Sequence, residues 1–175
     1  LRLQGNPAQS VLKSTRSEPG RKRFYVDNRK DTLAIIVTGG NASGINIAIA
    51  ALFFTARAHR WKNVVGYHQG FELLSQADCE APVVFNRALI ERIKGENTSF
   101  LRLSRRGAET EAQRKAILAN LQRHYRVTHL VIIGGDGSAG SGARVLRENG
   151  CNINIAVLLK SIDGFGSAHV LGHNT

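Results

Sequence analysis

From residue 33 onward, short apolar runs alternate with longer segments whose apolar positions have helical spacing. The run Leu33 to Val37 is continuously apolar and ends at a pair of glycines, which is typical of a buried parallel strand. Strands are predicted over residues 33–37, 63–67, 128–133 and 153–158, and helices over residues 45–60, 87–94, 109–123 and 140–149. The alternation predicts an α/β domain with a doubly wound, mainly parallel sheet.

The first 31 residues have no sustained hydrophobic period and contain Pro7, Pro19 and many polar residues. They are predicted to form an extended basic arm, in which the segment 23–26 is a candidate short strand. Residues 32–175 are predicted to form the α/β domain. The sequence contains no Met, not even at position 1, so we expect a processed or partial product.

Positive charge is concentrated in two segments of this 175-residue chain, whose net charge is +11. Residues 1–30 hold eight basic and two acidic residues, and residues 85–130 hold ten basic and four acidic residues. Separate basic blocks suit a polyanion such as RNA, because each neutralised phosphate releases counterions; a solvated basic surface is the alternative. No apolar run is long enough to span a membrane, and two cysteines exclude a disulfide framework.

Three loops are predicted at the carboxyl ends of strands, where ligands bind in open α/β sheets. The first, residues 38–46, contains Gly39 and Gly40 and leads into a helix, as in phosphate-binding loops. It matches neither a dinucleotide motif nor a full P-loop, since Ile45 stands where the P-loop lysine would be. A tight strand-to-helix turn is the alternative interpretation.

The second loop is the sequence Gly-Gly-Asp-Gly-Ser at residues 134–138. Asp136, held between glycines after a buried strand, suits a Mg²⁺ ion bound to a polyphosphate. The alternative is that Asp136 caps the following helix.

The third loop begins at Lys160 and brings a cation, the hydroxyl of Ser161 and the carboxylate of Asp163 together after the fourth strand. A carboxylate here suits a general base that accepts the proton of an attacking hydroxyl during phosphoryl transfer. An ordinary Asp-Gly turn is the alternative.

Taken in order, these loops resemble motifs of the N-terminal half of 6-phosphofructokinase, of the long-tailed ATP-dependent type. Residues 38–46 resemble the family's S/T-G-G-x-x-P-G-x-N loop, and residues 97–105 resemble its G-G-T-x-L-G-S-S-R segment. Residues 134–138 reproduce G-G-D-G-S, residues 160–165 resemble P-K-T-I-D-N-D, and residues 172–175 resemble G-F-x-T. The resemblance covers about residues 21–175 and implies the phosphofructokinase N-terminal fold, without the family's second half.

The resemblance also implies roles for individual residues. Asp136 would hold Mg²⁺, Asp163 would be the general base, and Ser161 would stand for the threonine beside it. Gly137 resembles the ATP-using type, whereas Lys160 is common in pyrophosphate users and in the long-tailed ATP enzymes. The residues implied to bind the nucleotide and its phosphates are Gly39, Gly40, Arg105, Gly137, Ser138 and Lys160.

Several positions depart from the family pattern. In residues 97–105, which we call the phosphate segment, Arg102 replaces one family glycine, and Asn97 and Thr98 replace two more. Phe165 replaces the second aspartate of T-I-D-N-D. These changes predict a degenerate site, because phosphoryl transfer depends on positioning and charge stabilisation.

Two functions therefore follow as hypotheses. In the first, the chain is a catalytically degenerate, basic structural or RNA-binding subunit of a large assembly such as an organellar ribosome, located inside the cell in a mitochondrion or another organelle. The candidate nucleic-acid contacts are Arg21, Lys22, Arg23, Arg102, Arg105 and Arg106. In the second, it is the N-terminal half of an active ATP-dependent 6-phosphofructokinase, with ATP and Mg²⁺ as cofactors and fructose 6-phosphate as substrate. Trp61 either stacks on a base or packs between helix and strand.

Overall fold

A computed structural model describes residues 31–148, 153–160 and 168–171. The predicted α/β fold is confirmed, with six strands in one sheet ordered β3-β2-β1-β4-β5-β6. The strands are β1 Thr32–Val37, β2 Asn63–Tyr67, β3 Val83–Val84, β4 His129–Gly134, β5 Asn154–Leu159 and β6 Ala168–Leu171. The helices are α1 Ile45–Ala58, α2 Phe71–Leu74, α3 Arg87–Ile93, α4 Glu111–Arg123 and α5 Asp136–Glu148.

The four central strands run parallel, whereas the two edge strands β3 and β6 pair antiparallel with their neighbours. The four central strands match the predicted ones to within one residue at each end. The edge strands and the single-turn helix α2 were not predicted, because two to four residues hold too little periodic pattern. The mainly parallel sheet places three strand-to-loop junctions side by side along its carboxyl edge.

Side chains of alternate residues on β1 enter two separate cores. Leu33, Ile35 and Val37 face α1 and α3, while Ala34 and Ile36 face α2, α4 and α5. All five are buried. Burial on both faces explains why β1 is a continuous apolar run, since neither face meets solvent.

Two helix starts differ from the sequence prediction. Helix α4 begins at Glu111 after a capping box, in which Thr110 accepts from the Gln113 backbone and Gln113 accepts from the Thr110 backbone. Helix α5 begins at Asp136, four residues before the prediction, although its first turn contains Gly137. Because glycine is unfavourable inside a helix, the sequence predicted a later start for α5.

The basic arm lies outside the described residues apart from Asp31, so the boundary at 31/32 stays a prediction. Within the described part of the chain, no helix has both the length and the apolar content to cross a membrane.

Candidate functional site

The loops after β1, β4 and β5 meet at the carboxyl edge of the sheet. The amide of Thr38 donates to the carbonyl of Ile133 (2.9 Å), and the amide of Lys160 donates to the carbonyl of Gly134 (2.9 Å). The Thr38 and Ser138 hydroxyls are 3.2 Å apart in a buried contact. The sequence prediction that these loops share one edge agrees with this geometry.

Two glycines allow the loops to approach one another. Gly39 has φ +89°, a conformation that favours glycine, and its amide donates to the carbonyl of Ser104 (2.8 Å). At Gly134, a Cβ atom would lie 2.3 Å from the Ser138 hydroxyl and 2.9 Å from the Thr38 carbonyl oxygen. Any side chain at residue 134 would therefore push the first two loops apart.

A cleft of about 370 Å³ opens between these loops and the segment that follows Leu103. Four of the predicted nucleotide-binding residues line it: Gly39, Arg105, Gly137 and Ser138. The remaining lining residues are Thr38, Gly107, Glu109, Gly135, Ser141 and Arg144. Backbone amides, hydroxyls and two guanidinium groups thus surround one space, which is a donor set suited to phosphate oxygens.

Gly40 and Lys160 lie beside the cleft without lining it. The Lys160 ammonium donates to the carbonyl of Gly40, so the third loop is tied to the first through its side chain. Partial burial lowers the pKa of Lys160. In this arrangement the Lys160 side chain is bonded to the first loop (residues 38–46) and does not line the cleft.

Asp136 occupies the first turn of α5, between two glycines that line the cleft. Its side chain is exposed and, among the described residues, it has no hydrogen-bond or ion-pair partner. The carboxylate therefore stands at the rim of the cleft, and the helix starts at this residue instead of being capped by it. No group of three or more metal-ligating side chains occurs in the described ranges.

Glu72 positions the segment that carries Arg105, and sequence reasoning did not identify it. The Ser104 hydroxyl donates to Glu72 (2.6 Å) and accepts from the amide of Arg106 (3.1 Å). The Arg106 guanidinium lies 3.5 Å from the second oxygen of Glu72. Residues on both sides of Arg105 are thereby held by one carboxylate from α2.

Asn46 holds the segment that precedes Arg102. Its buried amide donates to the carbonyls of Glu96 (3.1 Å) and Thr98 (2.8 Å), and its oxygen accepts from the amide of Phe100 (3.0 Å). The sequence marks Asn46 only as the last residue of the first loop motif. Its structural role is to connect that motif to the phosphate segment.

Arg102 has φ +56°, so its backbone keeps a conformation that favours glycine. The resemblance places a glycine at this position. The side chain is exposed, as are those of Arg105 and Arg106.

Helix α5 supplies two cleft residues that were not predicted, Ser141 and Arg144, in addition to the predicted Gly137. Gly137, Ser141 and Arg144 follow one another at helical spacing and lie on one face of α5. If the sequence prediction had started this helix at Asp136, the helical spacing would have placed these three residues on one face.

Several predicted site residues lie outside the described residues, and their roles stay predictions. They are the general-base candidate Asp163, its neighbour Ser161, and the basic residues Arg21, Lys22 and Arg23.

Comparison with known proteins gives relatives of both phosphoryl-donor types. A pyrophosphate–fructose 6-phosphate 1-phosphotransferase from Naegleria fowleri is 32% identical over 133 residues, which cover 75% of this chain and 30% of that protein. An ATP-dependent 6-phosphofructokinase from Trypanoplasma borreli is 26% identical over 162 residues, covering 90% of this chain and 32% of that protein. The chain thus spans about a third of the length of these relatives.

The fold also matches solved phosphofructokinases. The Saccharomyces cerevisiae enzyme superposes with a TM-score of 0.66 and 20% identity, over 76% of this chain and 20% of that chain. The Pichia pastoris enzyme in its T-state gives 0.67 and 22%, over 77% of this chain and 15% of that chain. The model of the phosphofructokinase family matches residues 32–175. The α/β domain with its three-loop cleft therefore belongs to the phosphofructokinase family.

Proposed function

We propose that this domain binds the polyphosphate of ATP or pyrophosphate and presents it for transfer to fructose 6-phosphate. The observation that carries the proposal is the single cleft in which Gly39, Arg105, Gly137 and Ser138 meet. These residues come from three separate segments of the sequence. Relatives of this chain include both ATP-dependent and pyrophosphate-dependent enzymes, which supports the reaction class without choosing between the two phosphoryl donors.

Side-chain and backbone groups of the cleft would both contact a bound polyphosphate. Arg105 presents a planar guanidinium that matches two phosphate oxygens, and the first turn of α5 offers free backbone amides. Gly137 leaves open space, since a Cβ atom there would meet no atom within 4 Å. The main chain of α5 can therefore approach the phosphates closely.

The Mg²⁺ that the family implies fits the rim of this cleft. Magnesium takes one or two carboxylates together with substrate phosphate oxygens, and Asp136 offers one exposed carboxylate, without a partner among the described residues, next to two cleft glycines. When bound, the ion neutralises charge on the polyphosphate. Asp136 would hold it, and Arg105 would stabilise phosphate charge from across the cleft.

Proton transfer is assigned to Asp163 by the family resemblance. Because β5 ends at the same sheet edge as the cleft, a carboxylate in the segment that follows would accept the proton of the attacking sugar hydroxyl. Ser161 would stand beside it. The sugar phosphate requires further cationic groups that the described cleft does not supply, so fructose 6-phosphate binding belongs to the proposal for the whole protein.

Binding and turnover are tested separately. Calorimetry with ATP–Mg²⁺ and with pyrophosphate–Mg²⁺ should detect binding to the chain, and Arg105→Gln should weaken it about tenfold or more, since a charge-assisted pair is worth roughly 1.5–3 kcal/mol. Arg87→Gln, which removes an exposed arginine from α3, is the matched control and should bind like the parent. Undiminished binding by Arg105→Gln would overturn the cleft assignment.

A coupled assay with fructose 6-phosphate then tests catalysis. Activity that Asp163→Asn abolishes supports the transferase. Donor binding without turnover supports the degenerate alternative.

The alternative function is a degenerate, basic RNA-binding subunit of a large organellar assembly. The observation that favours it is Arg102, an exposed cation held in a glycine-favouring conformation beside the phosphate segment. The resemblance places a glycine here, where the backbone would approach the phosphates, and an arginine departs from that pattern. Co-sedimentation of the chain with ribonucleoprotein particles at low salt, reversed at high salt, tests this alternative.

A further inference from the structure

A second cationic surface lies at the amino edge of the sheet, opposite the phosphate cleft. It is built from the α1–β2 connection (residues 57–62) and the α4–β4 connection (residues 123–128), both of which cross this edge. The strands between the two edges are five to six residues long, so the edges are roughly 15–20 Å apart. The surface is therefore separate from the cleft, and the inference is independent of the proposed function.

The two connections flank the start of β1 although they come from opposite faces of the sheet. The Trp61 and His129 rings are 4.5 Å apart between centroids. The amide of Lys62 donates to the carbonyl of Asp31 (3.1 Å), and the amide of Thr128 donates to the carbonyl of Thr32 (3.1 Å). Since β2 and β4 both neighbour β1, their starts are two strand spacings apart, about 10 Å.

These connections carry cations and no carboxylates. Their basic residues are Arg57, Arg60, Lys62, Arg123 and Arg126, and all five side chains are exposed. Arg57 and Arg123 each donate to a backbone carbonyl, which leaves the charge uncompensated. Among the described residues, none of the five forms an ion pair. Asp31 adjoins Lys62, and Arg123 donates to the carbonyl of Ala77, which directly precedes Asp78.

Arg60 and Arg126 hold an unusual backbone conformation. Each follows the end of a helix with positive φ, +60° and +46°, where glycine is the residue that adopts this conformation without strain. Arginine in this conformation costs about 1 kcal/mol.

We propose that this amino-edge surface binds the phosphate backbone of a nucleic acid. Four of its five cations are arginines, whose planar guanidinium matches phosphate oxygens. Among the described residues, the exposed large apolar side chains Ile47 and Val84 lie elsewhere, and Phe54 lies about one helical turn before Arg57.

The location differs from that of the Arg102, Arg105 and Arg106 group. Arg105 belongs to the cleft and Arg106 is paired with Glu72. At the amino edge the chain also enters β1 directly from the basic segment 1–30.

The test is fluorescence anisotropy of the full chain with a labelled 20-nucleotide uridine RNA at 50, 100 and 200 mM KCl. The edge variant combines Arg60→Gly, Lys62→Gln and Arg126→Gly. Glycine relieves the backbone strain at two of these positions, so the variant should unfold at a temperature no lower than the parent. Three lost phosphate contacts should make the slope of log K against log salt shallower by about 2 and weaken binding at 50 mM roughly tenfold or more.

The control variant removes the same charge elsewhere through Arg87→Gln, Arg92→Gln and Lys115→Gln, on α3 and α4. It should retain RNA binding, and saturating ATP–Mg²⁺ should not displace the RNA from the parent. An equal loss in the control, displacement by ATP, or unchanged binding by the edge variant would overturn the proposal. So would equally tight binding of phosphatidylserine vesicles or of poly-glutamate. Calorimetry of ATP binding to the edge variant tests the cleft separately, and its affinity should equal that of the parent.

Discussion

The hydroxyls of Thr38 and Ser138, which are 100 residues apart in the sequence, lie 3.2 Å from each other in a buried contact. Thr38 directly follows β1, and Ser138 lies in the first turn of α5. Both line the cleft. Their contact therefore sets the distance between the two loops that would hold the phosphates.

A double-mutant cycle on this pair should show coupling. Thr38→Val and Ser138→Ala each remove one hydroxyl and leave the other buried without its partner, so each should lower the free energy of unfolding by about 1–2 kcal/mol. The double variant should be more stable than additivity predicts, by about 1 kcal/mol. Urea unfolding measures all four proteins, and strictly additive losses would mean that the hydroxyls do not interact.

Substitution of Glu72 should weaken phosphate binding although Glu72 does not line the cleft. Glu72→Ala frees Ser104 and Arg106, which hold the segment around Arg105, and we expect about fivefold weaker binding of ATP or pyrophosphate, equivalent to about 1 kcal/mol. Glu72→Gln keeps an oxygen acceptor for Ser104 and should recover part of the affinity. The control is Glu80→Ala, an exposed carboxylate elsewhere, and calorimetry gives the dissociation constants. Equal affinities for Glu72→Ala and the parent would contradict the positioning role.

Asn46→Ala should destabilise the domain by about 3 kcal/mol. The substitution removes three hydrogen bonds that tie α1 to residues 96–100 and leaves two carbonyls and one amide without that partner. Asn41→Ala, an exposed residue of the same loop, should change the stability by less than 0.5 kcal/mol. A loss below 1 kcal/mol for Asn46→Ala, measured by urea unfolding, would show that the 96–100 segment is held by other contacts.

Glycine at position 102 should stabilise the fold relative to alanine. Arg102→Gly and Arg102→Ala both remove the charge, and only glycine adopts φ +56° without strain, so the glycine variant should be more stable by about 1 kcal/mol. Thermal unfolding of the pair measures this difference. A change in ATP affinity that both variants share would be caused by loss of the positive charge. A change in only one variant would be caused by the altered backbone conformation. A more stable alanine variant would be inconsistent with the left-handed conformation.

Stability should fall on acidification because of His129. Burial lowers the pKa of His129, and the Asp31 carboxylate partly opposes this shift. Nδ1 lies 3.0 Å from the Thr128 hydroxyl, and Nε2 lies 3.1 Å from the Asn154 side-chain amide. The folded state binds a proton less readily than the unfolded state, whose histidine titrates near pH 6.5. The contribution is therefore complete above pH ~6.5 and decreases as the pH falls from there towards the lowered folded pKa.

Urea unfolding between pH 7.5 and 5 measures this dependence. In His129→Gln the decrease should be smaller than in the parent. His59→Gln, at an exposed position past α1, is the control and should keep the parent profile. An identical pH profile for His129→Gln and the parent would exclude His129 as its source.

The sequence alone determined the class of the fold and the three loops. Buried parallel strands are apolar on both faces, and their loops begin at glycines, so Leu33 to Val37 and the Gly-Gly-Asp-Gly-Ser segment are recognisable locally. The three loops lie on one edge because parallel strands all end there. This is a consequence of topology that the alternation of strands and helices already implies.

Only the tertiary structure decided which side chains support the site. Glu72 and Asn46 act through partners 32 to 54 residues away, and no local pattern encodes such pairings. The same is true of Arg60 and Arg126, which the sequence places 66 residues apart and the sheet places on one edge. Periodicity reports whether a residue is buried, whereas the identity of its neighbours depends on strand order and on contacts between distant segments.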